Sequence, residues 1–550
     1  MQDIQKCVSE VVKRLFNVDE VVELTRPDEQ FGDYSTNVAM QLVKTLGQNP
    51  RAIAEQIADA LRTDLSEVIK NVVVAGPGFI NLTLTDVALL AAIAGKVHAV
   101  EQKNDAERVV IETYNPNPLK QMHIGHAYNS IVADTIANLL EAGGSDVHRV
   151  SYHGDVGAHV GKSMWAVMRA VDEDPERLDD VPTDERVEFL SKKYAEGSSL
   201  YKEDETAKAE MDMLARQSFA PEGDYKKIYD TVVAWSFDDI EVKVAKLGSK
   251  KAERRFLESQ SDPVGVKIVQ NHVGRVFAKS QGAVIFDGAP HKMHTVVFVA
   301  SNGNGLYAAR DLGLIKLKND AFSPDRSIIV TGSEQKQYFE VVLKSAELAM
   351  PEVTTQTINI PTGLVKLSTG KMSSRTGDVL GIQWIFDQIE RAIIARGGTN
   401  DPDLLVGALR YAFLKVRIGS DVVFDVEEAL SIQGNSGPYL QYAHVRARSI
   451  LAKTAPDLNN KITDLEADER SLARKISEYP EVLQRSVDEL MPHHICTYLY
   501  ELAQTFNRFY EHNRVVGDPR EGVRTKLVQL YADVLKNGLL LLGINAPEKM

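Results

Sequence analysis

His123-Ile124-Gly125-His126 stands between a strand-like run, Val109-Val110-Ile111-Glu112-Thr113-Tyr114, and a long apolar-periodic stretch at 131–140. That succession reads as a strand, a turn and the first turn of a helix. A helix start offers free N–H groups and the positive end of a dipole, which suit a phosphate. Two imidazoles at i and i+3 add donors on the same face. The tetrad therefore suggests a nucleotide site built without a glycine-rich loop; taken alone, such a pair is more often two surface or core histidines without function.

The chain has 550 residues, 44% of them hydrophobic and 25% charged, which predicts a soluble protein of three or four domains. Cys7 and Cys496 are too few and too far apart for a disulfide framework or a thiolate zinc site, and they fit a reducing cytoplasmic compartment. No signal pattern opens the chain, and the longest apolar runs, 87–93 and 539–544, are too short to span a bilayer. A net charge of −14 argues against indiscriminate nucleic-acid binding, yet a local basic face still admits a nucleic-acid partner.

Residues 1–100 read as a small α+β domain, with helical periodicity at 51–61 before two strand patterns joined by Gly76-Pro77-Gly78. Residues 108–395 alternate strand-like and helix-like segments, the pattern of a doubly wound α/β sheet, with 147–152, 296–300 and 328–331 as candidate buried parallel strands. An acidic, helix-rich insertion at about 172–260 interrupts them. From 400 to 550 the periodicity is helical nearly throughout, which predicts an all-α domain. Gly161-Lys162-Ser163 is not a P-loop, since the glycine required five positions earlier is Val156. The His pair lacks the internal Glu of a zinc helix, and no thiolate cluster supports it, so no tightly bound metal is expected.

Lys371-Met372-Ser373-Ser374-Arg375, after Gly363-Leu364-Val365-Lys366, lies at the far end of the alternating region. A basic, glycine-flanked loop there can stabilise charge developing on a triphosphate. Together the tetrad and this loop resemble the two signature motifs of class I aminoacyl-tRNA synthetases. Glu112-Thr113-Tyr114-Asn115-Pro116-Asn117-Pro118-Leu119-Lys120, Gly154-Asp155-Val156-Gly157, Leu306-Tyr307-Ala308-Ala309-Arg310-Asp311, Ser333-Glu334-Gln335 and Gly434-Asn435-Ser436-Gly437-Pro438-Tyr439-Leu440-Gln441-Tyr442-Ala443-His444 resemble the arginyl-tRNA synthetases. The likeness covers the chain except the acidic insertion.

The resemblance implies a Rossmann-type catalytic domain, an N-terminal domain associated with the tRNA elbow and a C-terminal anticodon-binding bundle. It implies ATP-dependent activation of L-arginine and transfer to the terminal adenosine of tRNA(Arg), in a monomer, with Mg2+ arriving on ATP. ATP would be met by His123, Gly125, His126, Lys371, Met372, Ser373 and Ser374. Tyr307, Asp311 and Gln335 would line the side-chain pocket, while Glu112, Asn117 and His123 would hold the substrate backbone or orient neighbouring ligands. Acidic groups suit a guanidinium, which stays charged and presents forked donors. Asp311 alternatively pairs with Arg310 or Lys316, Tyr307 is alternatively core, and Glu112 a strand cap.

Class I enzymes commonly carry a second lysine at the position of Ser374. Many arginyl enzymes lack it, and a lysine ahead of the tetrad is thought to compensate; Lys120 occupies that place. Phe31, Tyr34, Tyr439, Gln441, Tyr442, His444 and Arg446 are the candidate tRNA contacts, by stacking or phosphate pairing; Phe31 and Tyr34 are equally core candidates, and Tyr439 with Tyr442 could form an ordinary buried stripe. Arg410 is a candidate structural residue. Two rivals stand beside the arginyl reading. Another class I synthetase would need a thiolate zinc site for cysteine or cations in the pocket for glutamate. A non-catalytic RNA-binding paralogue would have lost the nucleotide residues.

Overall fold

A computed structural model of the chain describes residues 2–93, 106–354, 357–368, 380–399, 401–454 and 464–549. Its centre is a five-stranded parallel sheet in the order Thr357–Thr362, Arg326–Gly332, Arg108–Tyr114, Asp146–His153, Arg254–Leu257. The chain enters at the middle strand, winds to one edge, then returns and fills the other. The order thus reverses between Arg108–Tyr114 and Arg326–Gly332, where doubly wound sheets bind ligands at the carboxyl ends of their strands. Val109, Val110 and Ile111 are wholly buried because both faces of this strand are covered.

The tetrad opens the helix Ile124–Ala142, which is buried around almost its whole circumference. One side packs on the sheet and the other on C-terminal helices, so its apolar residues form no single stripe.

Two of the three expected parallel strands lie in this sheet, at Asp146–His153 and Arg326–Gly332. The third does not: Val296–Val299 belongs to a separate three-stranded antiparallel sheet with Ala278–Ser280 and Ala283–Phe286. A short apolar run carries no information about strand direction. The stretch read as insertion holds three long helices, Arg186–Glu203, Glu205–Gln217 and Gly223–Lys246, and also Arg254–Leu257, an edge strand of the central sheet.

The N-terminal region forms a three-stranded antiparallel sheet in which Ile69–Ala75 and Phe79–Leu84 pair across the Gly-Pro-Gly turn. Among the described residues of the C-terminal region the one strand is Val422–Phe424, which pairs in parallel with Val365–Leu367, and the other regular elements are helices. Among the described residues no helix is long and apolar enough to cross a membrane.

Candidate active site

His123 is the N-cap of its helix, and the two imidazoles close a reciprocal capping box. His126 N–H donates to His123 Nδ1 at 3.2 Å, and His123 N–H donates to His126 Nδ1 at 3.5 Å. The rings stack with centroids 3.5 Å apart. Gly125 makes room for this: a Cβ there would stand 3.1 Å from His123 Cε1.

With both Nδ1 atoms accepting, the hydrogen of each neutral ring sits on Nε2. Burial, and then the nearby Lys120, push the His123 imidazole down to about 4; burial and the His123 and Lys120 charges push His126 well below the usual range. Near neutral pH the pair therefore presents uncharged Nε2–H donors.

The expectation of several free amides at this helix start is narrowed. Ile124 N–H is taken by Leu380 O at 3.0 Å and His126 N–H by the His123 ring, which leaves Gly125 N–H as the free donor of the first turn among the described residues.

The positive charge beside the pair is Lys120, whose field reaches His123, His126 and His159. Its loop is fixed by Leu119, a buried residue at φ 63 whose N–H is held by Ser236 Oγ at 3.0 Å. Lys120 Nζ lies 5.0 Å from the ring centroid of Tyr194, on the insertion helix Arg186–Glu203, and has no carboxylate partner among the described residues. Its charge is positioned without being neutralised.

Asp311 is on the helix Tyr307–Phe322, within the field of Glu112 on the strand Arg108–Tyr114. Neither alternative partner holds it: Arg310 pairs with Glu258 at 2.6 Å and Asp262 at 3.1 Å, and Lys316 pairs with Asp320. Instead, Tyr338 Oη donates to Asp311 Oδ2. Burial first, with Glu112 and Glu258 adding, pushes the Asp311 carboxyl up to about 7; the Tyr338 hydrogen bond and Lys318 oppose this. A buried carboxyl with raised affinity for a proton is primed for a cation. Tyr338 escaped the sequence reading because a tyrosine in an amphipathic helix carries no mark; its sole signal is a position three after Gln335.

Glu112 is buried and bonded to Lys318 Nζ at 2.7 Å and Asn115 Nδ2 at 2.8 Å. Lys318 thus engages one carboxylate oxygen, Oε1, and Asn115 the other, Oε2. Asn117 Oδ1 accepts from Gly154 N–H at 2.9 Å, leaving Nδ2 without a partner among the described residues. Tyr307, at the helix start, is 65% exposed, and Gln335 is exposed. Lys371, Met372, Ser373, Ser374 and Arg375 lie outside the described residues.

Of the candidate tRNA contacts, three are corrected. Tyr34 is 2% exposed, with its hydroxyl between Arg26 at 2.7 Å and Glu481 at 3.0 Å, so it joins the N-terminal sheet to a C-terminal helix. Gln441 Nε2 donates to Asp403 O and Asn545 O, both at 3.0 Å, and His444 Nδ1 lies 2.9 Å from Pro547 O. These polar groups are spent on docking the chain's last residues. Phe31 and Tyr442 are exposed. Tyr439 is half-buried, accepting from Asn507 Nδ2 at 2.9 Å, and Arg446 lies over the Tyr510 ring at 4.5 Å.

Comparison with known proteins agrees along the whole chain. Sequence families described as "Arginyl tRNA synthetase N terminal domain", "tRNA synthetases class I (R), catalytic domain" and "DALR anticodon binding domain" match residues 2–84, 88–401 and 440–550. An arginine–tRNA ligase of Synechococcus sp. is 31% identical over 581 residues, covering 96% of this chain and 95% of that protein. One from Thermobifida fusca is 31% identical over 558 residues, covering 95% and 94%. The arginyl-tRNA synthetase structures of Thermus thermophilus (TM-score 0.82, 23% identity, 100% of both chains) and Plasmodium falciparum (TM-score 0.80, 21%, 100% and 99%) share the fold. The chain belongs to the arginyl-tRNA synthetase family of the class I aminoacyl-tRNA synthetases.

Proposed function

We propose that the site activates L-arginine with ATP and transfers it to tRNA(Arg). The observation that carries this reading is a stacked, neutral His pair at the switch point of a parallel sheet, together with a largely buried Asp311 carboxyl that feels the field of Glu112 on the middle strand of that sheet. In the first step the arginine carboxylate attacks the α-phosphorus, giving arginyl-adenylate and pyrophosphate. In the second, a hydroxyl of the terminal adenosine, first the 2′, attacks the acyl carbon and AMP leaves. Positioning and charge stabilisation dominate such displacements.

In this assignment the Nε2–H groups of His123 and His126 and the Gly125 N–H donate to phosphate oxygens. Asn117 Nδ2 meets the substrate backbone, Tyr307 and Gln335 border the side chain, and Asp311 accepts the guanidinium. Mg2+ would travel on the phosphates of ATP and need few protein ligands. Monomeric state and a cytoplasmic location complete the proposal. Incubation with labelled arginine, ATP and total tRNA tests it: arginyl-tRNA should form with AMP and pyrophosphate, and absence of arginine from the tRNA would sink it.

Lys120 is assigned the cationic role left open by Ser374. Lys120→Ala should lower arginine-dependent ATP–pyrophosphate exchange by roughly 10- to 100-fold. An unchanged rate would show that the loop lysine suffices.

Activation is expected to need bound tRNA. The flanks of the Lys-Met-Ser segment support this: Ser368 Oγ donates to Asp425 at 2.6 Å in the C-terminal region, while Ile382 N–H donates to Met122 O at 2.9 Å beside the His turn. Both ends of the segment thus join elements that tRNA and ATP would engage.

A further inference from the structure

Asp311 is in contact with a phenol that no motif of the sequence marked. Tyr338 stands in the first turn of the helix Lys336–Ala349, with its ring edge-on to Phe339 at 5.2 Å. A phenol carries one hydrogen. Here that hydrogen is given to Asp311 Oδ2, so Tyr338 Oη keeps only lone pairs for any other partner. Tyr152, the other phenol facing Asp311, lies 3.0 Å from Ser261 Oγ and does not compete.

We propose that Tyr338 is a specificity-determining residue of the arginine pocket: it fixes the Asp311 carboxylate by one oxygen and presents its own oxygen as a further acceptor for a donor-only, planar, cationic headgroup. A guanidinium satisfies such an array with N–H groups alone. A ureido group of the same shape, as in citrulline, brings a carbonyl oxygen against acceptors and leaves buried polar atoms unpaired, a mismatch that sites of this kind reject strongly. The inference rests on Asp311 being the guanidinium acceptor.

The groups facing Asp311 are Glu112 and Tyr152 on adjacent strands, Glu258 on the helix Glu258–Asn271, Lys318 on its own helix, and Tyr338. Arginine pairs with the ionised carboxyl. Below about 7 that carboxyl takes up a proton that binding must displace, so kcat/KM for arginine should fall as pH falls through that value and level off above it. The Tyr338 hydrogen bond favours the ionised form. Its loss should therefore move the break to higher pH.

The test is steady-state exchange with arginine and with citrulline, across pH, for wild type, Tyr338→Phe and Asp311→Asn, with tRNA present. For Tyr338→Phe we expect an arginine KM raised about tenfold or more, a much smaller change in kcat, a break displaced upward in pH and weaker rejection of citrulline. A ring that merely packs would move none of these when its hydroxyl is removed. If Asp311→Asn loses arginine dependence while Tyr338→Phe keeps the wild-type KM and pH break, the Tyr338 role is wrong and the Asp311 reading survives. If Asp311→Asn keeps normal arginine dependence, both are wrong.

Discussion

Asp311→Asn is expected to abolish measurable arginine activation and to leave the fold intact. Removing one partner of a buried charge pair costs about 3–5 kcal/mol, which is roughly two to nearly four orders of magnitude in arginine kcat/KM. The substitution should not destabilise the unliganded protein. The carboxyl is pushed up to about 7 in the folded chain, chiefly by burial, from an ordinary value of 3.8. The folded state thus binds the proton more tightly than the unfolded state does. Stability associated with this group is present below the ordinary value and is lost as pH rises through about 7. Above pH 7 the ionised carboxylate is a cost that the empty pocket carries for function, and asparagine removes it. Thermal unfolding at pH 8 should show an equal or higher midpoint for the variant. Lost activity together with a lowered midpoint would mean that Asp311 is a structural residue.

The second large effect is predicted at Arg410, on the helix Pro402–Leu414. Its wholly buried guanidinium donates to Asp134 at 2.8 Å, Thr135 at 3.0 Å, Ser249 at 3.2 Å, and the carbonyls of Leu542 at 2.6 Å and Leu247 at 3.1 Å. Asp134 and Thr135 lie on the helix that begins at the His pair. One side chain therefore fastens the C-terminal region to the helix that begins at the His pair. Arg410→Met leaves Asp134 with Arg149, at 3.4 Å, and the Lys250 N–H, at 3.1 Å, while two buried carbonyls lose their donor. The expected cost is about 3–5 kcal/mol, read as a lowered urea midpoint. Gly543→Ala should act in the same direction, because a Cβ there would come within 2.4 Å of Arg410 Cζ at a backbone φ of +70°. Wild-type midpoints for both variants would contradict this role.

The sequence was most informative where local chemistry and periodicity coincide. The His turn, the Gly-Pro-Gly hairpin and the strands around Val150 and Ile329 are marked by residues close together in the chain. Edge strands were harder. Arg254–Leu257 has four residues, two of them arginines, and Thr357–Thr362 contains Pro361, tolerated because only one neighbour pairs with it. The misplaced polar residues share one cause. Tyr34 meets Glu481, Gln441 meets Asn545 and His444 meets Pro547, across separations that local patterns do not register. In each, a buried polar group that resembles a ligand contact is satisfied by a partner distant in the chain. Tyr338 is the converse, a functional contact hidden in a sequence that reads as ordinary helix.

The central claim is that a neutral His pair and the Asp311 pocket together select and activate arginine. ATP–pyrophosphate exchange with a panel of single amino acids, in the presence of total tRNA, tests it most directly. Arginine alone should drive exchange, with lysine and citrulline near background; exchange driven by any other amino acid at a rate comparable to arginine would contradict it.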